Sequence, residues 1–513
     1  MKLNQLRWGA VLSYLQIAVS ILIGLVYTPI MIRLLGKSEY GLYNTVSSTI
    51  GILSMLNLGL GSGYIRYYAK YKKENDYEKI YKLNGFFLMI FLMISAIAFG
   101  GGMFLSFNLD LVFSTGFTAS EYETAKVLMI LLTINLAITF PASVIGNIVV
   151  ANEKYVFNKV LGMARTILGP LLTIPLLLIG FKSIAMVVLS LALTIVVEII
   201  QFVYVKKVLK NKFYFGKIDK SLASGVFAYT IFIALNLVVD QINLNVDKVL
   251  LGRFKGTTAV AIYSVGYSLH HYFMIFSTAI SGLFTPRIHR IVNQTLNDKN
   301  AQKEQLTNLF IKVGRIQFLL LGLIAMGLVF FGKPFIAFWA GAGYEDAYWV
   351  ALLLIIPALI PFCQNLGIEI QRAQNNHWFR SIVYFAMAIV NLVATIFLCQ
   401  IYGVVGAALG TALSFVVCNC IIMNVFYHKK CNINIVSFWK NIAKLSLGFI
   451  IPIILGLVII KFVNLYNFWL LLICIICFTV IYCLSQWLIG MNSYEKEIIK
   501  NAYKKIFKKK KNA

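Results

Sequence analysis

A row of polar side chains interrupts one of the long apolar stretches of this sequence. Asn236, Asp240, Asn243 and Asp247 stand at i, i+4, i+7 and i+11, so a helix would carry all four on one face. Carboxylates inside an apolar helix are expensive, and by default such groups mark a site that takes up a proton or a cation. The alternative is that the row joins two helices by hydrogen bonds. The sequence leaves both interpretations open for the asparagines and favours the functional one for the charged groups.

A second row repeats this spacing further along the chain. Asn365, Glu369, Arg372 and Asn376 again stand at i, i+4, i+7 and i+11, and Glu369 can pair with Arg372 one turn away. Polar rows of this kind should line a cavity or an interface between helices, because lipid does not satisfy them. Asp240, Asp247 and Glu369 are therefore candidates for binding a proton or a sodium ion.

Several cations also lie in or beside the apolar stretches. Arg165 is alone between Met163 and Pro170, and a buried guanidinium with no nearby acid favours a cavity role with an anionic partner. Lys248 and Arg253 follow the first polar row. Arg66 follows the glycine-rich run 59–63, and simple anchoring at the membrane surface is an alternative explanation for it.

The elements that must position these residues are membrane helices. The 513 residues are 60% hydrophobic with a mean hydropathy of +0.81, which excludes a soluble protein. About 20 apolar residues cross the hydrocarbon core as a helix. The sequence predicts an all-α polytopic membrane protein with about fourteen transmembrane helices, at 9–32, 41–64, 84–107, 127–150, 157–180, 183–205, 223–247, 257–284, 316–338, 347–370, 379–401, 403–427, 443–463 and 467–489.

The net charge of +27 follows from membrane topology. If the spans alternate from a cytoplasmic N-terminus, 36 of the 46 Lys and Arg residues fall on the cytoplasmic side. This bias matches the positive-inside rule and predicts that both termini are cytoplasmic. The basic tail Lys504–Lys511 is then expected to lie against anionic membrane lipids, and nucleic acid is not an expected partner.

No catalytic machinery is visible in the sequence. It contains neither a GxxxxGK[ST] phosphate loop nor an HExxH metal motif. Cys474 and Cys477 have CxxC spacing, but they stand among Leu, Ile and Phe without a nearby His or carboxylate, which favours apolar packing. We therefore predict no enzyme activity, no catalytic residue, no metal ligand and no cofactor.

The chain repeats itself weakly at an offset of 220 residues. Pro141 matches Pro361, the segment 192–197 matches 412–417, and Gly41-Leu42-Tyr43 matches Ala261-Ile262-Tyr263. Leu34-Leu35-Gly36 recurs at 250–252, which suggests a four-residue insertion in the second copy. Six predicted spans separate the copies, so the repeats are parallel and predict two six-helix lobes around a central cavity. The predicted domains are an N-lobe at 1–220, a C-lobe at 221–428, and a segment at 429–513 with two extra helices and the tail.

The opening of the chain resembles a known family. The stretch LSYLQIAVSILIGLVYTPIMIRLLGKSEYGLYNTVSSTIGILSMLNLGLGSGYIRYYAKY resembles the bacterial polysaccharide-biosynthesis flippases, which are Wzx-type proteins of the multidrug/oligosaccharidyl-lipid/polysaccharide exporter superfamily. The LLGxxxYGxY connection from Leu34 to Tyr43 carries most of this resemblance. The pattern DKVLLG at 247–252 continues it, and the resemblance extends over essentially the whole chain.

The resemblance implies a MATE-like fold and a flippase that moves undecaprenyl-pyrophosphate-linked oligosaccharide across the bacterial cytoplasmic membrane. Such units build capsule, O-antigen or exopolysaccharide, so glycosyltransferases and a polysaccharide polymerase are implied partners. A pyrophosphate needs cations that replace its water in the membrane. The residues expected in that role are Arg66, Arg165, Lys248, Arg253 and Arg372.

Two other transport functions fit the same fold. A cation-coupled multidrug exporter would need a cavity dominated by carboxylates and apolar surface, and a lipid II flippase would share the last two helices. The cations argue against the multidrug exporter provided that they face inward.

Overall fold

The computed structural model describes residues 5–113, 116–216 and 220–511, and the regular elements in these ranges are helices. The basic tail Lys504–Lys511 belongs to the last helix. The side chains of Lys505 and Lys508–Lys511 lie outside what the structure describes. The α-helices are α1 (Gln5–Leu35), α2 (Lys37–Leu53), α3 (Leu60–Lys73), α4 (Tyr77–Phe107), α5 (Asp110–Phe113), α6 (Ala119–Ala151), α7 (Tyr155–Leu178), α8 (Ser183–Lys207), α9 (Lys220–Gly282), α10 (Thr285–Gln294), α11 (Lys299–Trp339), α12 (Ala347–Cys363), α13 (Leu366–Ala373), α14 (His377–Phe415), α15 (Met423–Lys429), α16 (Ile435–Ser446), α17 (Ile450–Phe462), α18 (Phe468–Ser485) and α19 (Ser493–Lys511).

The all-helical membrane architecture is confirmed. Within the described residues, nine helices are long and apolar enough to cross a membrane, or up to eleven if each of two bent pairs is one span. The sequence predicted fourteen spans, and two features of the helices explain why this number is larger. Some helices continue through a turn into the next span, and the second predicted span is built from short pieces.

Helix α9 is the clearest case of two predicted spans within one element. Its 63 residues contain Gly256 at φ 79° and ψ 179°, outside the helical region. The Tyr263 hydroxyl donates a hydrogen bond to the Asp247 carboxylate across this glycine. In a straight helix these residues would be about 24 Å apart. The chain therefore folds back at Gly256 into a first arm at 220–255 and a second arm at 257–282.

Helix α14 folds back in the same way at Gly403, which has φ 58° and ψ −129°. Asn391 Nδ2 lies 3.3 Å from Thr411 Oγ1 across this glycine. The second predicted span, by contrast, is divided into α2, a 3-10 turn (Ser54–Asn57) and α3, with Leu58 and Gly59 at positive φ between them. Each departure has a local backbone cause, and the total of fourteen spans stays a prediction.

The glycines at which the helices break indicate how the two copies of the internal repeat align. Gly36, between α1 and α2, has φ 79° and ψ 169°, nearly the angles of Gly256. These glycines are 220 residues apart, so the insertion inferred from Leu-Leu-Gly at 250–252 is wrong. A Cβ on Gly41 would overlap the Thr257 carbonyl oxygen and lie 3.2 Å from the Ala261 nitrogen. Positions 41 and 261 are also 220 apart, and a contact between equivalent positions is what twofold-related repeats produce.

Internal contacts divide the chain into two units. Unit 1 comprises residues 1–265 and 381–411, and unit 2 comprises 266–380 and 412–513. In unit 1 the first arm of α9 runs along α2 and α3, which present small residues that let the helices approach closely. The contacts are Gly51 with Asn245, Gly59 with Ile233, and Gly63 with Val226 and Thr230. The predicted lobe boundaries at 220 and 428 remain untested.

Unit 2 contains the C-terminal helices. Phe478 of α18 packs against Phe330 and Phe331 of α11, with Tyr482 in the same buried cluster. Gly456 of α17 touches the ring of Phe330. Helices α17 and α18 are thus packed onto α11 through aromatic side chains.

The close contact at Gly41 gives a first prediction. We expect Gly41→Val to prevent α2 from packing against the second arm of α9, because the added side chain would occupy the position of the Thr257 carbonyl oxygen. Overpacking of this kind costs about 1–3 kcal/mol or more. The melting temperature of the purified protein measures it. Gly100→Val is the control, since nothing lies near a Cβ at that position, and an equal loss in both variants would contradict the prediction.

Candidate functional site

The first polar row forms a hydrogen-bonded seam between α9 and α14 within unit 1. Asn236 donates from Nδ2 to the Ser381 hydroxyl over 2.8 Å. Two turns further, the amides of Asn243 and Asn391 lie 3.5 Å apart. These contacts are the hydrogen-bonding role that the sequence left open for the asparagines. Whether the row also serves transport stays a prediction.

Asp247 lies at the end of this seam in a pocket of hydroxyl groups. Its side chain is buried, and its Oδ2 accepts hydrogen bonds from Tyr263 at 2.5 Å and from Thr411 at 2.8 Å. Thr411 and Thr395 also contact Asn391. A carboxylate with hydroxyl oxygens beside it can hold a proton or a small hard cation, although the neighbouring Lys248 ammonium also interacts with it. The sequence predicted the carboxylate but missed the hydroxyls, which reach it from beyond the turns at Gly256 and Gly403.

Asp240 of the first polar row, by contrast, is exposed on α9.

The prediction of a second continuous polar row is wrong, because the helix breaks within it. Asn365 directly precedes α13 with helical backbone angles, whereas Asn376 lies beyond the end of α13 and does not share a helix face with Glu369 and Arg372. Asn365 lies 3.3 Å from the Ser277 hydroxyl. The predicted ion pair is confirmed: Arg372 Nη1 lies 2.7 Å from Glu369 Oε1.

Arg66 lies on an exposed face of α3. Its guanidinium carbon is 4.5 Å from the centroid of the Tyr229 ring on α9, within cation–π range. This contact leaves the guanidinium edge available for an anion. The sequence placed Arg66 at the end of a span, and the partner ring lies on a helix more than 160 residues away.

The environment of Arg165 differs from the one that the sequence predicted. It is exposed on α7, donates from Nη2 to the Thr194 hydroxyl over 2.7 Å, and interacts electrostatically with Glu198 of α8. The premise of a buried guanidinium without a nearby acid is therefore wrong. A signal for this was available, because Arg165 and Glu198 are almost equally far from the turn at 180–182 and so stand at the same depth of a helix hairpin.

Lys248 and Arg253 occupy the far part of the first arm of α9. Lys248 is half-buried and interacts with its neighbour Asp247. Arg253 donates from Nη1 to the Leu111 carbonyl over 2.6 Å and so binds the backbone of the short helix α5. The Arg253 guanidinium is thus already bound to a backbone carbonyl.

The predicted cations of unit 1 do not form one cluster. Tyr229, which holds Arg66, and Lys248 are 19 residues apart on the same helix arm, which corresponds to about 28 Å. Arg165 lies on a different helix pair, and Arg372 belongs to unit 2. The assignment of these cations to the substrate stays a prediction.

Glu121 was missed as a site residue. Its Oε1 accepts hydrogen bonds from the Ser38 hydroxyl of α2 and, over 2.7 Å, from the Thr257 hydroxyl of α9. Its Oε2 accepts from the nitrogen of Thr118 at 2.8 Å, which completes a capping box at the start of α6. The Thr-x-x-Glu spacing was readable in the sequence, but the two distant hydroxyls were not.

The family of the chain follows from a match to known sequences. A family model described as polysaccharide biosynthesis protein matches residues 6–292, more than half of the chain. The chain belongs to this family. No curated protein matches it.

Solved structures show which fold this family member has. A structure titled lipid II flippase MurJ, inward closed conformation, has a TM-score of 0.68 at 17% identity and covers 96% of this chain and 99% of its own. An inward-facing MATE family multidrug resistance transporter of the MOP superfamily has a TM-score of 0.57 at 15% identity, covering 83% of this chain and 99% of its own. A MOP superfamily transporter from Pyrococcus furiosus has a TM-score of 0.57 at 13% identity, with 84% and 96% coverage. The fold of this chain is the one seen in these MurJ and MATE structures.

The buried carboxylate pocket gives a second prediction. We expect Asp247→Leu to lower the stability of the protein by about 1–3 kcal/mol, because Tyr263 and Thr411 lose their shared acceptor in a buried place. Thermal unfolding of the purified variant measures this loss. Asp240→Leu is the matched control on the exposed face of the same helix, and an equal effect there would contradict the role of the pocket.

Proposed function

We propose that this protein is a flippase that translocates undecaprenyl-pyrophosphate-linked oligosaccharide across the bacterial cytoplasmic membrane by alternating access. The family match over residues 6–292 carries the proposal, because the family is defined by polysaccharide biosynthesis and the fold is that of a transporter. The protein acts without a catalytic step, and both termini are cytoplasmic. Glycosyltransferases and a polymerase supply and consume its substrate.

The cations support an anionic substrate. Arg66 and Arg165 are exposed on helices α3 and α7 of unit 1, and neither forms an ion pair at short range among the described residues. A pyrophosphate that leaves water for the membrane needs such partners. Moving negative charge outward is favoured by an inside-negative potential by about 2.3 kcal/mol per charge per 100 mV. Asp247, with its hydroxyl ligands, is the candidate for additional coupling to a proton or sodium ion.

The contacts of Glu121 support alternating access. This carboxylate joins α2 and α6 of the first repeat to the second arm of α9 in the second repeat. Arg253 adds a hydrogen bond from α9 to the backbone of α5 at Leu111. We propose that these contacts hold the end of the transporter that contains Gly36 and Gly256 closed, and that they break when this end opens.

A lipid II flippase is the second candidate. The MurJ structure covers 96% of this chain, whereas the MATE structures cover about 84%, so the similarity includes the C-terminal helices. Lipid II is itself a polyprenyl pyrophosphate, and the same cations would suit it. A multidrug exporter is less well supported, since its cationic substrates would be repelled by Arg66 and Arg165.

Deletion of the gene in its own bacterium distinguishes these functions. We expect loss of the surface polysaccharide and accumulation of the lipid-linked oligosaccharide inside the cell, with normal growth when the first glycosyltransferase is also deleted. Loss of viability that this second deletion does not relieve would indicate a lipid II flippase. Unchanged surface polysaccharide together with new drug sensitivity would indicate an exporter.

A further inference from the structure

Helix α3 presents three distinct faces. Tyr64 and Tyr68 point into the core, where the Tyr64 hydroxyl donates to Asn84 over 2.6 Å and Asn152 donates to the Tyr68 hydroxyl over 2.8 Å. Gly63 packs against α9 through Thr230. The third face is exposed and is formed by Ser62, Arg66, Ala69, Lys70 and Lys73. Since two faces are held by buried contacts, the direction of the third face is fixed.

The third face carries its cations in one line. Arg66, Lys70 and Lys73 stand at i, i+4 and i+7, which places them on one stripe about 10 Å long. Tyr229 of another helix packs against the Arg66 guanidinium at 4.5 Å and limits its freedom. The stripe therefore runs from Lys73, at the end of the helix, toward Gly59 and Gly61 at its start.

These charges are not neutralised by neighbouring acids. Among the residues that the structure describes, no ion pair joins a carboxylate to Arg66, Lys70 or Lys73. The lysines of the next helix behave differently, since Lys79 pairs with Asp76 at 2.8 Å and Lys82 pairs with Glu78 at 2.7 Å. A stripe of like charges repels itself, so an arriving anion would gain energy at each position.

We infer that the third face of α3 is the docking site at which the diphosphate headgroup of the substrate first binds. The inference rests on the proposed function. Adjacent cations one helical turn apart match the two linked phosphates of a diphosphate, and the Arg66 guanidinium can donate two parallel hydrogen bonds to one of them. Lys73 and Lys70 bind the headgroup first, and Arg66 receives it beside Tyr229.

A binding measurement with a short isoprenoid diphosphate tests this site. Full-length protein in nanodiscs of zwitterionic lipid is titrated with farnesyl pyrophosphate, with farnesol as the probe that lacks phosphate. We expect the wild type to bind farnesyl pyrophosphate and not farnesol. We expect Lys70→Gln/Lys73→Gln to weaken binding about tenfold or more, because both positions lose a charge-assisted hydrogen bond to the phosphates. Lys70→Arg/Lys73→Arg should restore it.

The control removes the same charge from another exposed lysine pair. Lys299 and Lys303 stand one turn apart on α11, and Lys299→Gln/Lys303→Gln should leave the affinity unchanged. Equal affinity of the α3 variant and the wild type would overturn the docking site while leaving the proposed function standing. No binding by the wild type would count against the proposed function itself. Full competition by phosphatidylglycerol added to the nanodiscs would show that the face binds bulk anionic lipid, which overturns the diphosphate assignment.

Discussion

Replacement of Arg315 by alanine is expected to prevent the accumulation of folded protein. Arg315 of α11 is buried, and its Nη2 donates to Glu495 Oε2 over 2.9 Å and to the Gly490 carbonyl over 2.9 Å. Its Nη1 donates to the Asn441 carbonyl over 2.6 Å, and its Nε lies 2.5 Å from Glu495 Oε1. One guanidinium thus joins α11 to α19, to the residue Gly490 before α19, and to α16. Its removal leaves the Glu495 carboxylate buried without a cation, at a cost of about 3–5 kcal/mol.

The yield and melting temperature of the purified protein measure this effect. Arg315→Leu/Glu495→Leu should recover most of the loss, because an apolar pair of similar size avoids the stranded charge. Glu497→Ala is the control, since Glu497 lies two residues from Glu495 on α19 but is exposed. A stable Arg315→Ala variant would contradict the role of this buried pair.

The second large effect is expected at Glu121. Glu121→Ala removes the shared acceptor of Ser38 and Thr257, so α2, α6 and the second arm of α9 lose their common contact. Hydrogen bonds to a charged group contribute about 1.5–3 kcal/mol each, so the closed arrangement should lose at least about tenfold in population. A cysteine introduced at Ser48, which is buried on α2, should then react faster with an impermeant maleimide.

Glu123→Ala provides the comparison for this measurement. Glu123 has the same side chain two residues along α6 and is exposed. Its replacement should leave the labelling rate at the wild-type level, with native cysteines giving the same background in both variants. Equal labelling of the Glu121→Ala and Glu123→Ala proteins would show that Glu121 does not hold this end closed.

The helical membrane fold and the repeat were readable from the sequence because both depend on patterns along the chain. Apolar length identified helices, and the 220-residue offset is borne out by Gly36 and Gly256, which share an unusual backbone conformation. The site was only partly readable. Asp247 could be found because a single carboxylate in an apolar stretch is visible in the sequence. The pair Glu369–Arg372 could be found because the two residues are one helical turn apart.

The remaining contacts depend on chain reversals that spacing alone does not reveal. Thr411 reaches Asp247 from 164 residues away. The second polar row assumed one continuous helix, and the end of α13 at Ala373 separates Asn376 from it. Arg253 was grouped with substrate cations because of its charge, whereas the backbone of α5 that it binds lies more than 140 residues earlier.

Transport by the purified protein tests the central claim most directly. The full chain is reconstituted into liposomes with a fluorescent undecaprenyl-pyrophosphate-linked oligosaccharide, and the fraction of label quenched by external dithionite is followed over time. The proposed function predicts that quenching proceeds to completion with the protein and stops at about half in empty liposomes. It also predicts slower quenching for Arg66→Gln. The result that would contradict the proposal is quenching that stops at about half with folded wild-type protein, whether the imposed membrane potential is negative or positive inside.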